Sequence, residues 1–180
     1  MDLSLFYLPT WRDDFDISLG RYYEEITESV KLADALGWAR ALTTEHHFHY
    51  YGGAIPNPAV IFAAWARETK NIRLAAAVSL IQLRDPLKVA EDYALVDQLS
   101  GGRVDMGVGR GFAPHEFGAF NVDRTDVAGR ITEGLEICSR FWAGEPFSYT
   151  GEYFSFDRLQ PWPPTVNGAL PIWNAASNSK

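Results

Sequence analysis

An apolar run that begins at Ala41 breaks directly into Thr44-Glu45-His46-His47-Phe48, which sets an acid and two histidines where a buried strand would end. Imidazole gains and loses a proton near neutral pH, so a histidine in such a place suits acid–base work. In folds that alternate strands and helices, the carboxyl ends of the strands form the active face. The residues leave two readings of His46: a proton-handling group facing a ligand, or a core histidine hydrogen-bonded to Glu45. Side chains alternate along an extended segment, so His47 faces away from His46 and reads as a supporting residue. No metal is expected on His46, His47 and His49, because adjacent ligands diverge on an extended chain and no zinc-type histidine or cysteine spacing accompanies them.

A second cluster is Gly107-Val108-Gly109-Arg110-Gly111. Glycines let a backbone come close to a flat ligand or a phosphate. The planar Arg110 guanidinium can grip a phosphate through two parallel bonds; the competing reading pairs it with Glu116 or another loop acid. These glycines fail as a dinucleotide fingerprint, since their spacing is wrong and they do not follow the first strand. Ser177-Asn178-Ser179 reads either as a polar turn that holds a phosphate or as a helix N-cap. Trp11, Tyr50 and Tyr51 either line a substrate pocket or simply pack.

The elements that must position these residues follow from periodicity. Leu3 to Leu8, ended by Pro9, is a first strand. Ile26, Val30, Ala33 and Gly37 predict a helix, with Glu24, Glu25 and Glu28 in its first turns, where the helix dipole favours acids. Trp38 to Thr43 is the second strand, and Asn57-Pro58 opens a helix that runs to about Thr69. Ile72 to Leu83 is almost continuously apolar and predicts a strand covered on both faces. Asp85-Pro86 opens the third helix, which Gly101-Gly102 ends. Val104, Met106 and Val108 mark strand four, and Val127, Ile131, Leu135, Cys138 and Trp142 a fourth helix. Phe147 to Phe156, around Thr150-Gly151, predicts a hairpin, and Leu170 to Ala175 a fifth strand after an extended, proline-rich return. Five strands alternating with four helices fit an open doubly wound sheet or the first part of a (β/α)8 barrel, and periodicity does not choose.

Composition narrows the partner. A chain of 180 residues, 47% hydrophobic, is expected to make a single domain over residues 1–180. Its net charge of −7 argues against a nucleic-acid groove or an anionic membrane surface and for a small-molecule substrate. Cys138 is the sole cysteine, so no internal disulfide forms and a reducing compartment is the simpler expectation. No apolar stretch reaches the roughly 20 residues that span a bilayer, and Met1-Asp2 lacks the base of a secretory leader, so the expected location is cytoplasmic.

Together, Glu45-His46-His47-Phe48 and the run from Gly102-Arg103-Val104-Asp105 through Gly111 resemble the bacterial luciferase-like flavin monooxygenases. Asp85-Pro86, Glu91-Asp92, Asp97 to Gly102, the Tyr149 to Phe156 hairpin and Pro171-Ile172-Trp173 are similar to that family in the same order, so the resemblance covers nearly the whole chain. It implies an α/β fold, a luciferase-like (β/α)8 TIM barrel with about its first five strands present, a hairpin excursion before strand five, and the C-terminal half absent. It also implies an enzyme in which reduced FMN and O2 oxidise a small organic substrate through a flavin C4a-peroxide. Hydride transfer with the deazaflavin coenzyme F420 is the alternative within the fold, and a non-catalytic half-barrel subunit or fragment is the alternative outside catalysis. By resemblance His46 takes the place of the catalytic histidine, and Arg110, Ser177 and Asn178 that of the flavin-phosphate site. Ala77-Val78 falls where many members carry a non-prolyl cis peptide beneath the flavin ring. The implied partners are a flavin reductase and a homo- or heterodimeric mate that covers the open sheet edges.

Overall fold

The computed structural model describes residues 2–175. Strands β1 (Ser4–Tyr7), β2 (Arg40–Thr43), β3 (Arg73–Ala76), β4 (Val104–Val108) and β7 (Ile172–Asn174) form one parallel sheet in that order. Parallel neighbours need long crossovers, supplied here by α1 (Leu19–Ala35), α2 (Pro58–Glu68), α3 (Pro86–Ser100) and α5 (Val127–Ala143). Strands β5 (Phe147–Thr150) and β6 (Ser155–Leu159) pair antiparallel as the expected hairpin between α5 and β7. The order is that of the first part of a (β/α)8 barrel, with a short extra helix, α4 (Pro114–Ala119), after β4.

Local chemistry sets the boundaries. Asn57 accepts from the Ala59 N–H and Asp85 from the Leu87 N–H, each one residue before a proline that needs no amide partner. Gly101 ends α3 in the left-handed region, φ 69°. Two expectations need correction. Helix α1 begins at Leu19, so Glu24, Glu25 and Glu28 lie beyond its first turn; they pair with Arg21 and Lys31 rather than with the dipole. Strand β3 stops at Ala76 and does not run to Leu83, because the chain tightens into a 3-10 turn, Ile81–Leu83; the Ala77–Val78 peptide between them is cis. The apolar residues of that stretch are still buried, Leu80 and Leu83 packing with Phe117 and Val127.

The main core lies between the sheet and its helices, where Phe62, Trp65, Tyr93 and Trp142 are buried with Leu74, Val104 and Met106. Cys138 belongs to this core, and burial pushes its thiol up to about 12. The opposite face of the sheet is polar near its amino end. Pairing of Arg40 with Arg73, of Ala75 with Asp105 and of Gly107 with Trp173 puts these side chains on one face. Asp105, 1% exposed, accepts from Arg73 Nε at 2.9 Å and Trp173 Nε1 at 3.2 Å, and Arg40 lies over the Trp173 ring at 5.1 Å. Among the described residues, no helix is long and apolar enough to cross a membrane.

Candidate active site

The site forms where β2, β3, β4 and β7 end. Beyond Thr43 the chain stays tied to both neighbours: the Thr44 N–H reaches the Tyr7 carbonyl at 3.2 Å and the Glu45 N–H the Val78 carbonyl at 3.2 Å. Glu45 is therefore delivered under the neighbouring strand end, where its buried carboxylate accepts from Ser79 Oγ (2.8 Å), the Leu80 N–H (3.2 Å) and Arg84 Nη2 (3.1 Å). Its other oxygen meets His47 Nε2 at 3.1 Å. His47 is the supporting residue that alternation anticipated, buried and edge-on to Phe120 at 4.8 Å.

His46 is not bonded to Glu45, so the core reading of that residue is corrected. Its Nδ1 lies 3.0 Å from Glu116 Oε1, and the same oxygen accepts the His47 N–H at 2.9 Å. Glu116 is fully buried on α4. The alternative pairing of Glu116 with Arg110 is thereby overturned as well: the carboxylate faces the histidines, and Arg110 is exposed with no ion pair among the described residues. The carbonyl of Arg110 is fixed instead, accepting from Gln82 Nε2 at 3.1 Å.

A cavity of about 830 Å³ gathers these parts: Thr44 and His46 just after β2, Ala77 and Val78 just after β3, Gly109 to Phe112 after β4, and Asn174 and Ala175 at the end of β7. Ala77 and Val78 form a ledge shared with a smaller space of about 280 Å³ floored by Arg40, Leu42 and Trp173. Glycine is required opposite the ledge, because a Cβ on Gly109 would meet Val78 Cγ2 at 2.7 Å and one on Gly107 would strike the Ala76 carbonyl oxygen. The outcome is a narrow shelf in a cavity that both Arg110, without an ion pair among the described residues, and the imidazole of His46 line. Among the described residues no group of three or more His, Cys, Asp or Glu side chains could hold a metal ion.

Ser177 and Asn178 lie outside the described residues. Tyr51 approaches the His46 ring at 6.4 Å, Tyr50 stacks on His49 at 4.3 Å, and Trp11 donates to the Ile17 carbonyl at 3.0 Å, which packs it within its own loop. Reading the sequence missed Glu116 as the partner of His46, and it missed Phe112, whose ring is edge-on to His46 at 5.4 Å. A six-residue helix carries too little periodicity to announce a buried acid.

The sequence matches the family described as luciferase-like monooxygenase over residues 3–180. It is 31% identical over 157 residues to the oxygenase component of flavin-dependent trigonelline monooxygenase from Acinetobacter baylyi, covering 86% of this chain and 43% of that protein. The structure superimposes on monooxygenase RslO1 from Streptomyces bottropensis with a TM-score of 0.94 and 35% identity, covering 98% of this chain and 54% of that one. It also matches the oxygenating constituent of 3,6-diketocamphane monooxygenase from Pseudomonas putida, solved with FMN, with a TM-score of 0.84 and 25% identity, covering 97% and 51%. The chain thus spans about half the length of the relatives it matches.

Proposed function

Because this chain belongs to the luciferase-like monooxygenase family, we propose that it builds the flavin-binding and proton-handling side of an FMN-dependent monooxygenase acting on a small organic substrate. The observation that carries this reading is the convergence of His46, the Ala77–Val78 ledge and Arg110, which has no ion pair among the described residues, on one cavity at the strand ends. The residues fit the cofactor: the shelf between Val78 and Gly109 has no room for further side chains, as a flat ring requires, and Arg110 offers an exposed fork of donors for a phosphate. When bound, reduced FMN supplies the electrons with which O2 oxidises the substrate.

The chain's own groups divide the remaining work. Arg110 holds the phosphate, joined by Ser177 and Asn178, and Ala77 and Val78 support the ring. His46 moves the proton that the oxidation requires at the reacting oxygen. Burial of Glu45, bonded to Ser79, Leu80, Arg84 and His47, keeps the His46 segment and the ledge at a fixed separation. A separate flavin reductase delivers the reduced cofactor, a reading supported by the name "oxygenase component" of the trigonelline relative. The enzyme pairs with a second subunit and works in the cytoplasm.

The test supplies the complete protein with reduced FMN, 18O-labelled O2 and a panel of cyclic ketones and pyridinium compounds. One labelled oxygen atom appears in the product, and His46→Ala lowers turnover at least 100-fold while FMN affinity stays within three-fold. Product formed without oxygen uptake would move the reading to deazaflavin hydride transfer.

A further inference from the structure

We infer that Glu116 and Gly52 are positioning residues that fix which nitrogen of His46 carries the hydrogen and which edge of its ring meets the cavity. The inference rests on the reading of His46 as the proton-handling residue, and it adds the means by which that ring is aimed. Glu116 is 0% exposed and places Oε1 3.0 Å from His46 Nδ1. The same Oε1 accepts the His47 N–H at 2.9 Å, and an oxygen acting as acceptor there leaves the hydrogen of the His46 contact on Nδ1. The hydrogen bond made by one imidazole nitrogen decides the state of the other. Nε2 is therefore the atom left with a lone pair, free to take a proton and return it.

The opposite edge of the ring is closed by the absence of a side chain. Gly52 has φ +74°, and a Cβ there would lie 2.5 Å from His46 Cδ2 and 3.3 Å from Cγ. The turn that carries it is pinned by the Gly52 N–H, which donates to Thr10 Oγ1 at 3.1 Å. With Nδ1 against Glu116 and Cδ2 against Gly52, the Cε1–Nε2 corner is what remains for the cavity that His46 lines. A flip of the ring would put a C–H against the carboxylate and forfeit the bond.

Helix α4 fixes this arrangement at three points. Glu116 Oε1 also accepts the His47 N–H at 2.9 Å, and His115 Nε2 lies 3.0 Å from the His47 carbonyl. A displacement of α4 therefore carries the His46 segment with it. The second oxygen of Glu116, Oε2, is buried without a partner among the described residues. Among the described residues the Glu116 side chain thus bonds to the histidine segment alone.

The test is the long-range 1H–15N correlation spectrum of the complete protein labelled with 15N-histidine, at mildly alkaline pH, with His46 assigned by its loss in His46→Gln. The expected wild-type signature is a protonated Nδ1 and an unprotonated Nε2. In Glu116→Gln an amide offers a donor as readily as an acceptor, so the Nε2–H form appears and kcat falls at least ten-fold with FMN affinity within three-fold. In Gly52→Ala the tautomer is retained while the Hδ2 cross-peaks shift and kcat falls, because the ring is displaced rather than re-protonated. A wild-type spectrum with the hydrogen on Nε2, or a Glu116→Gln spectrum identical to wild type, overturns the inference. Should Glu116→Gln fail to fold, the wild-type spectrum and Gly52→Ala still decide it. The expected spectra combined with full turnover in His46→Ala would leave the aiming intact and remove only the catalytic reading.

Discussion

The two ends of the same parallel sheet treat their polar groups in opposite ways. At the amino ends, Asp34 accepts from the N–H groups of Lys70, Asn71 and Ile72 at 2.6 to 2.8 Å. Arg103 beside it donates to the carbonyls of Ala66, Thr69, Ile72 and Ser100 and to Thr69 Oγ1. These groups use their bonding capacity on the chain itself, which closes the bottom of the sheet. At the carboxyl ends Thr44 Oγ1, Gln82 Oε1, Arg84 Nε and Glu116 Oε2 are buried without partners among the described residues, and Arg110 has no ion pair there. Unmade hydrogen bonds are costly, and their gathering at the carboxyl ends agrees with the division of such barrels into a ligand-facing carboxyl end and a stabilising amino end.

The sharpest way to break that contrast is to open the bottom. Arg103→Met strands several carbonyls at once and is expected to cost about 2–4 kcal/mol in urea unfolding, with FMN affinity of the folded protein unchanged. Asp34→Asn is next, at about 1–2 kcal/mol, and it carries a pH signature. Burial acts to raise the Asp34 carboxyl, but the bonds from Lys70, Ile72 and Asn71, aided by Arg103, outweigh it and hold the group below the usual carboxylate range. A folded value below the unfolded one stabilises the protein above the unfolded value, about 3.9, and that stabilisation is lost as pH falls through the folded one. Melting temperature of the wild type should therefore drop on acidification through that window, and Asp34→Asn should show a shallower drop. A smaller effect is expected at the top: Arg110→Gln leaves unfolding free energy within about 0.5 kcal/mol. If it destabilises as much as Arg103→Met, the division between the two ends is wrong. The smallest effect is expected at Cys138, whose thiol lies 3.5 Å from the Pro86 carbonyl and is pushed up to about 12 by burial. It should be alkylated only at the rate of global unfolding, as read by mass spectrometry.

Legibility in the sequence followed the same line. The bottom and the helices were readable because capping and periodicity are local: Asn57-Pro58, Asp85-Pro86 and Gly101 act where the sequence places them. The top was readable only in part. His46 and Arg110 could be singled out because residue type and strand position announce them, the Ala77-Val78 pair only through the family resemblance, and the three do line one cavity. What could not be read was which acid serves which histidine, since Glu116 lies 70 residues from His46 and reaches it through a helix of six residues. Strand β3 was overextended for a related reason, an apolar run being equally compatible with a strand and with the buried turn that Ile81–Leu83 forms. The Arg40, Arg73, Asp105 and Trp173 layer was likewise invisible, because each charge is legible only once the register pairs it with its partners.

The central claim is that the carboxyl-end cavity takes FMN by its phosphate at Arg110 and by its ring on the Ala77–Val78 ledge. It is tested most directly by titrating the complete protein with FMN and, separately, with riboflavin, which lacks the phosphate, in wild type and in Arg110→Gln. FMN should bind wild type more tightly than riboflavin, and Arg110→Gln should weaken FMN by about ten-fold to 100-fold, the worth of a charge-assisted bond, while leaving riboflavin unchanged. Equal losses for both ligands, or none for either, would contradict the placement of the phosphate at Arg110.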